Sequence, residues 1–191
     1  MIKIIVLTHL IIYLGMFFGK NILLTKKIGK NIRGKNKEAV MAIISNTLFN
    51  IAVIISVLSE KMNNLFTPVG FLSGIYLQYT GIILLFLSLV TAFLAIIQMR
   101  DSWRIGIMYE DKTELVTNGI FSISRNPYFL SNILVFAGYA LLIHNIVIIV
   151  LSLLGVIIIH AMVIKEESYL KSLHGDKYLE YKKEVARYFI V

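Results

Sequence analysis

The chain has 191 residues, of which 58% are hydrophobic and only 16% are charged, and its mean hydropathy is +0.79. A soluble domain carries about 25% charged residues, so this composition excludes a compact water-soluble core and predicts an integral membrane protein. The absence of cysteine excludes disulfides, thiolate nucleophiles and Cys-ligated metal sites. In a soluble protein, a net charge of +8 would suggest a nucleic-acid partner. In a membrane protein, the placement of the basic residues indicates which loops are cytoplasmic, so no nucleic-acid partner is expected.

A helix needs about 20 residues to cross the hydrocarbon core of a bilayer. The apolar runs predict an all-α polytopic membrane protein, a single domain over residues 1–191, with five transmembrane helices at about residues 2–24, 39–58, 69–98, 128–143 and 146–164. No small-residue cleavage site follows the first run, so it is expected to be retained. The third run exceeds a straight crossing and is expected to tilt or protrude. Only His144 and Asn145 separate the last two runs, which predicts a C-terminal helical hairpin.

The basic residues predict the orientation of these helices. Residues 20–38 hold seven Lys and Arg against one acid, residues 99–127 hold four of each, and the tail from residue 165 holds six against five. With five spans, these segments share one face and carry 17 of the 19 basic residues, which identifies it as cytoplasmic. The N-terminus is then outside and the C-terminus cytoplasmic, with the basic first loop near anionic lipids. The small size and the lack of a retention signal favour a bacterial cytoplasmic membrane.

Small residues predict one close helix approach. Gly70 and Gly74 form a small-xxx-small pair near the start of the third span, and Gly81 lies one heptad further on. Such spacing allows another helix to pack closely against the third span.

The polar residues suited to chemistry are few. No phosphate-binding glycine loop or GxSxG elbow is present, and the four histidines are scattered, so phosphoryl transfer, a serine triad and a metal site are not expected. The remaining polar residues concentrate in residues 99–129 and around Glu166 and Glu167. Pro127 is typical of the first turn of a helix, and Gly119 is typical of a tight turn.

The two adjacent acids allow different interpretations. Glu167 and Lys171 have the spacing of a surface ion pair on one helix. Glu166 falls on an apolar stripe at a membrane boundary, where a carboxylate is costly unless it is solvated, paired or used, so it is the stronger functional candidate. His160 is expected either to line a cavity or to form a hydrogen bond between helices.

Five motifs in order are recognisable as a family pattern: residues 113–121 (TELVTNGIF), Arg125-Asn126-Pro127, a hydrophobic hairpin, Glu166-Glu167, and residues 175–181 (GDKYLEY). This pattern, over residues 99–188, resembles the isoprenylcysteine carboxyl methyltransferase family, part of a wider group that includes phospholipid methyltransferases. The resemblance implies a membrane enzyme that binds S-adenosylmethionine in a cytoplasmic cofactor pocket. It also implies a lipophilic small-molecule or lipidated acceptor that enters from the membrane lipids.

The resemblance assigns residues by position. It implies cofactor contacts by Thr113, Glu114, Leu115, Val116, Phe121, Arg125, Asn126, Pro127, Tyr128 and Phe129. It implies catalytic roles near the substrate for Glu166 and Glu167, and a tail containing Tyr178, Tyr181 and Arg187 that folds over the site. Asn126 stands where relatives have histidine and Phe129 where they have tyrosine, although Asn126 keeps a hydrogen-bond donor and acceptor.

One departure from the family pattern concerns the acceptor. Enzymes that methylate a prenylcysteine carboxylate have an arginine one turn before the first acid, and here that position is Met162. A carboxylate acceptor would lose this cationic partner, although Lys165 is nearby, so a lipid carboxylate, an amine and a hydroxyl all stay open. For an amine or a hydroxyl, Glu166 is the predicted proton acceptor.

Two other functions stay open from the sequence. Membrane reductases of the sterol type resemble this group in their C-terminal halves and bind NADPH in a comparable place. A non-enzymatic membrane protein is the other alternative, because Asn126, Phe129 and Met162 depart from the family pattern. The oligomeric state is not predicted.

Overall fold

The computed structural model describes residues 1–34, 36–109 and 113–189, and it is helical. The helices are α1 (Ile2–Ile28), α2 (Lys37–Leu58), α3 (Glu60–Leu65), α4 (Ile75–Met99), α5 (Pro127–Ile143), α6 (Ile146–His174) and α7 (Asp176–Glu184). Within these described ranges, extended pairing is limited to isolated bridges. The all-α prediction is confirmed.

Long apolar helices form the body of the protein. Four stretches are long and apolar enough to cross a membrane: Ile2–Ile28, Lys37–Leu58, Ile75–Ser102 and Ile146–His174. The shorter apolar helix Pro127–Ile143 packs among them. Large apolar side chains remain exposed along their outer surfaces, as expected of helices that face lipid.

The expected third span begins later than predicted. Residues Gly70–Leu72 form a short 3₁₀ turn, and α4 starts only at Ile75, with Gly74 as its N-cap. Two glycines within five residues disfavour continuous helix because glycine loses the most backbone entropy on becoming helical. The expected packing role of Gly70 and Gly74 is also wrong, since a Cβ added at either position would meet no atom within 4 Å.

Close helix approach occurs instead where α4 crosses α5. A Cβ added at Gly81 would lie 3.0 Å from the carbonyl oxygen of Gly138, and one at Gly138 would lie 2.6 Å from Cδ2 of Leu85. The part of the packing prediction that concerned Gly81 is therefore confirmed.

The predicted hairpin forms with a two-residue connection. His144 adopts a left-handed conformation with φ of 41°, and Asn145 caps α6 by accepting a 2.9 Å hydrogen bond from the Ile148 amide. The buried Asn145 amide also donates to Ser56 and to Asn63. The connection is thereby joined to the end of α2 and to α3.

A buried polar cluster links three helices inside the bundle. The ring nitrogens of His9 on α1 lie 2.7 Å from the Tyr139 hydroxyl on α5 and 2.9 Å from the Ser88 hydroxyl on α4. These contacts satisfy polar groups that would otherwise be costly in an apolar interior.

The three segments expected to share one face meet at one end of the bundle. Lys27 on α1 pairs with Asp101 after α4, Glu38 on α2 pairs with Lys165 on α6, and Arg125 before α5 pairs with Glu167 on α6. At the opposite end, the Val69 amide donates to the His144 carbonyl. The grouping of these segments agrees with the charge pattern of the sequence.

Candidate active site

A cleft opens at the end of the bundle that carries the Arg125–Glu167 ion pair. At this end α4 ends, α5 begins and the last turns of α6 lie alongside. The cleft opens to solvent, and its volume is about 730 Å³ when the open solvent at its mouth is included. Its lining includes Met99, Arg104, Gly106, Thr113, Glu114, Leu115, Val116, Phe121, Arg125, Asn126, Glu166, Tyr169 and Tyr181. The structure therefore brings together residues that are far apart in the sequence and that the family pattern assigned to one pocket.

A second space, the inner compartment, adjoins the cleft and overlaps with it. The inner compartment adds Pro127, Tyr128 and Phe129 to the lining. The two spaces share seven residues: Met99, Arg104, Gly106, Phe121, Arg125, Asn126 and Glu166. Pro127 occupies the first turn of α5, as predicted. All ten residues proposed to contact a cofactor thus line one or both spaces.

Aromatic rings form one wall of the inner compartment. The Tyr128 ring lies perpendicular to the Trp103 ring at 4.6 Å between centroids and stacks with the Phe17 ring at 6.3 Å. Tyr128 therefore packs between α1 and the loop after α4, and its ring shapes the compartment.

An apolar groove continues from the inner compartment into the bundle. The groove runs between α1 and α2 and has α5 and α6 as its floor, and its volume is about 1010 Å³ when the open space at its mouth is included. It shares five residues with the inner compartment: Phe17, Ile105, Tyr128, Phe129 and Met162. The solvent-facing cleft, the inner compartment and a groove between two outer helices are therefore adjacent spaces that share lining residues.

Glu166 stands between these spaces. Its half-buried side chain lines both the cleft and the inner compartment. Within residues 1–34, 36–109 and 113–189, no hydrogen bond or ion pair engages its carboxylate. Glu166 is therefore available to a ligand in either space.

Glu167 has the opposite environment. It is buried, and its Oε1 accepts hydrogen bonds from Nη2 of Arg125 at 3.1 Å and from the Asn126 amide at 2.9 Å. Its Oε2 accepts from Nη2 of Arg187 at 3.0 Å. The alternative of a surface pair with Lys171 is wrong, because this face of α6 packs against the start of α5 and the tail. Glu167 lies beneath the cleft and lines neither space.

Asn126 lines both the cleft and the inner compartment, and its side-chain amide also binds a residue beneath them. Its amide nitrogen donates to Glu167, and its side chain is only 6% exposed. The side-chain amide of Asn126 thus helps to hold Glu167 in place beneath the cleft.

The C-terminal tail folds over the site, as the resemblance implied. The Arg125 amide donates to the Ala186 carbonyl at 2.9 Å, and the Tyr181 hydroxyl donates to the Phe121 carbonyl at 2.6 Å. Burial raises the pKa of Tyr181, so its hydroxyl stays protonated and keeps donating. A hydrogen bond to Glu167 raises the pKa of Arg187, which stays charged.

The remaining candidates on α6 have separate roles. Lys165 is exposed and pairs with Glu38 of α2, so its ammonium is already engaged. Met162 lines the inner compartment and the groove. Nδ1 of His160 lies 3.1 Å from the hydroxyl of Tyr188 in the tail after α7, so His160 does form a hydrogen bond, but to the tail and not to a second helix as expected.

Two residues of the cleft were missed by sequence reasoning. Arg104 lines the cleft and donates to the backbone carbonyls of Asp101 and Trp103. Gly106 has φ of 75°, and a Cβ there would meet Ala39 and Asn36. The available signals were a cation and a glycine two residues apart, soon after the end of a predicted span.

The helices, the cleft and the groove define a polytopic helical membrane protein with a site open both to solvent and to a groove between outer helices. A family model described as phospholipid methyltransferase matches residues 77–177, which include α4 from its third residue and the whole of α5 and α6. The chain belongs to this family of membrane methyltransferases, which includes the isoprenylcysteine carboxyl methyltransferase-like enzymes, and the predicted resemblance is confirmed. A comparison with curated proteins found no match.

Proposed function

We propose that this protein is an integral membrane methyltransferase that transfers a methyl group from S-adenosylmethionine to a lipophilic acceptor. The observation that carries the proposal is the position of Glu166, which lines both the cleft and the inner compartment next to the apolar groove. Membership of the phospholipid methyltransferase family supports the same reaction class and gives no support to the reductase alternative.

The chemistry of the cleft fits S-adenosylmethionine. Phe121 and Leu115 offer apolar contacts for an adenine ring, and the carboxylate of Glu114 suits ribose hydroxyls or an ammonium group. In the described part of the chain, the main-chain groups of residues 113–117 form no hydrogen bonds with other backbone groups, so they are free to bind polar groups of a ligand.

When bound, S-adenosylmethionine supplies an electrophilic methyl group. The protein orients the acceptor, and positioning contributes a large share of the rate in such a displacement. For an amine or hydroxyl acceptor, the Glu166 carboxylate accepts the proton released by the nucleophile. Glu167 holds Arg125, Asn126 and Arg187 in place beneath the cleft and acts as a positioning residue.

We also propose five membrane crossings with the N-terminus outside and the cleft in the cytoplasm. The 17 residues of α5 span about 25 Å. The N-terminal end of α5 lies beside Glu167, whereas the His144 carbonyl just after it accepts from Val69 at the opposite end of the bundle. The end with the cleft carries most of the basic residues, which favours the cytoplasmic side.

Calorimetry on the detergent-solubilised full chain tests the cofactor. We expect S-adenosylhomocysteine to bind and NADPH not to bind. The Glu166→Gln variant should keep the wild-type affinity for S-adenosylhomocysteine, and so should the matched control Glu180→Gln on the exposed face of α7. Binding of NADPH alone would support a reductase, and binding of neither ligand would overturn the proposal.

A further inference from the structure

Arg33 lies at one end of the apolar groove, in the loop between α1 and α2. Among the described residues that line the groove, it is the only charged one, and the others are apolar or carry neutral amide or hydroxyl groups. The groove therefore combines a long apolar surface with one positive charge.

The backbone around Arg33 is fixed against the wall of the groove. The Ile105 amide donates to the Ile32 carbonyl at 3.0 Å, and the Ile105 carbonyl accepts from the Gly34 amide at 2.8 Å. Gly34 is packed so closely against the Ile107 carbonyl that a Cβ would not fit. Because Ile105 lines both the groove and the inner compartment, Arg33 is held close to the place where the two adjoin.

The Arg33 side chain is exposed, and its guanidinium has no hydrogen-bond or ion-pair partner within residues 1–34, 36–109 and 113–189. Nearby cations are engaged differently, since Lys27 pairs with Asp101 and Lys165 pairs with Glu38. A guanidinium presents a planar fork of donors that matches a carboxylate or a phosphate.

We infer that Arg33 binds the anionic group of a lipid whose apolar chain lies in the groove, and that this lipid is the methyl acceptor. The role as acceptor rests on the proposed function, whereas the binding of an anionic lipid does not. Met162 leaves α6 without a cation beside the groove, and Arg33 supplies one from the loop between α1 and α2. The acceptor class is therefore an anionic amphiphile.

The single tryptophan provides a direct probe of lipid in the groove. Trp103 contacts Phe17 and Tyr128, which both line the groove. The full-length protein is reconstituted in phosphatidylcholine nanodiscs, and lipids brominated in their acyl chains are titrated as quenchers of its fluorescence. Brominated phosphatidylglycerol is compared with brominated phosphatidylcholine at equal mole fraction.

We expect the anionic lipid to bind about fivefold more tightly than the neutral one, which corresponds to about 1 kcal/mol for one cation at an anionic headgroup. The Arg33→Gln variant should lose this preference, and Arg33→Lys should keep it because the charge remains. Lys26→Gln, which removes a charge from the same end of α1 outside the groove lining, should behave as wild type. A wild type without preference, or an Arg33→Gln variant that keeps it, would overturn the inference.

The same samples separate this inference from the proposed function. Arg33→Gln should bind S-adenosylhomocysteine with wild-type affinity, because Arg33 does not line the cleft. If the wild type binds S-adenosylhomocysteine but shows no preference for the anionic lipid, only the role of Arg33 is overturned. Absence of S-adenosylhomocysteine binding with an intact lipid preference overturns the proposed function and leaves an anionic lipid site.

Discussion

Glu166 and Glu167 are neighbours in the sequence but face different surroundings. Glu166 points into the cleft and the inner compartment, whereas Glu167 is buried among two guanidiniums and an amide. One residue corresponds to 100° of rotation around a helix, and this rotation moves the second carboxylate from the ligand space to the packed interface. The two acids therefore have separable contributions, one to chemistry and one to stability.

Glu167→Gln should destabilise the protein strongly. The change leaves the Arg125 side chain, only 7% exposed, without its counter-charge, and a broken buried pair costs about 3 kcal/mol or more. Thermal unfolding of the detergent-solubilised protein followed by circular dichroism measures the effect. Glu166→Gln is the matched control, because its carboxylate has no partner among the described residues, and its midpoint should stay at the wild-type value. Equal midpoints for the two variants would refute the division of roles.

At the scale of helices, the close crossing of α4 and α5 depends on two glycines, Gly81 and Gly138, which have no side chain to hold the helices apart. Gly138 lets Leu85 and the Gly81 carbonyl approach the α5 backbone, and the hairpin that carries the cleft residues is thereby positioned. The sequence predicted a close approach at Gly81 on α4. It did not predict that Gly138 on α5 is the facing glycine, because the two residues are 57 positions apart in the chain.

Gly138→Ala should destabilise the protein by about 1–3 kcal/mol. The added methyl group would lie 2.6 Å from Cδ2 of Leu85, so α4 and α5 must separate or Leu85 must leave its rotamer. The control is Gly15→Ala on α1, where a Cβ meets no atom within 4 Å and helix propensity favours alanine by about 1 kcal/mol. The midpoint temperatures of thermal unfolding of the two variants are compared. A midpoint of Gly138→Ala at or above that of Gly15→Ala would contradict the close crossing of α4 and α5.

At the scale of the whole molecule, the bundle separates a basic end from an opposite end. Arg33, the cleft and the tail share the basic end, and the connection at His144 and Asn145 lies at the other. A cofactor from the cytoplasm and an acceptor from the bilayer would then approach the inner compartment from different sides.

The absence of native cysteine makes this orientation directly testable. Single cysteines are introduced at Phe71, which is 82% exposed, and at the exposed Lys183 of α7. A membrane-impermeant maleimide applied to intact cells should label the Phe71→Cys variant at once and the Lys183→Cys variant only after permeabilisation. The reverse pattern would contradict five crossings with the N-terminus outside.

The sequence predicted the features that depend on local pattern. Apolar run length located the long helices, Pro127 marked the start of α5, and His144 with Asn145 marked the hairpin connection. The late start of α4 at Ile75 was missed because hydropathy continued through Gly70 and Gly74 while helix propensity did not.

The missed parts of the site depend on tertiary contacts. The surroundings of Glu167 involve Arg125 and Arg187, which lie 42 and 20 residues away in the chain. The placement of Arg33 in the groove depends on its pairing with the loop at Ile105, and a short isolated bridge has no sequence signature. Motif order predicted that the motif residues lie around one pocket, but it did not distinguish those that line the cleft from Glu167, which lies beneath it.

Methyl transfer itself is the most direct test of the proposed enzyme. The full-length protein is reconstituted in vesicles made from a total bacterial membrane lipid extract and incubated with S-adenosylmethionine labelled in its methyl group. The wild type and the Glu180→Gln control should transfer label into the organic-extractable fraction, and Glu166→Gln should transfer none. A wild type that transfers no label, or a Glu166→Gln variant that labels lipid at the wild-type rate, would contradict the proposed mechanism.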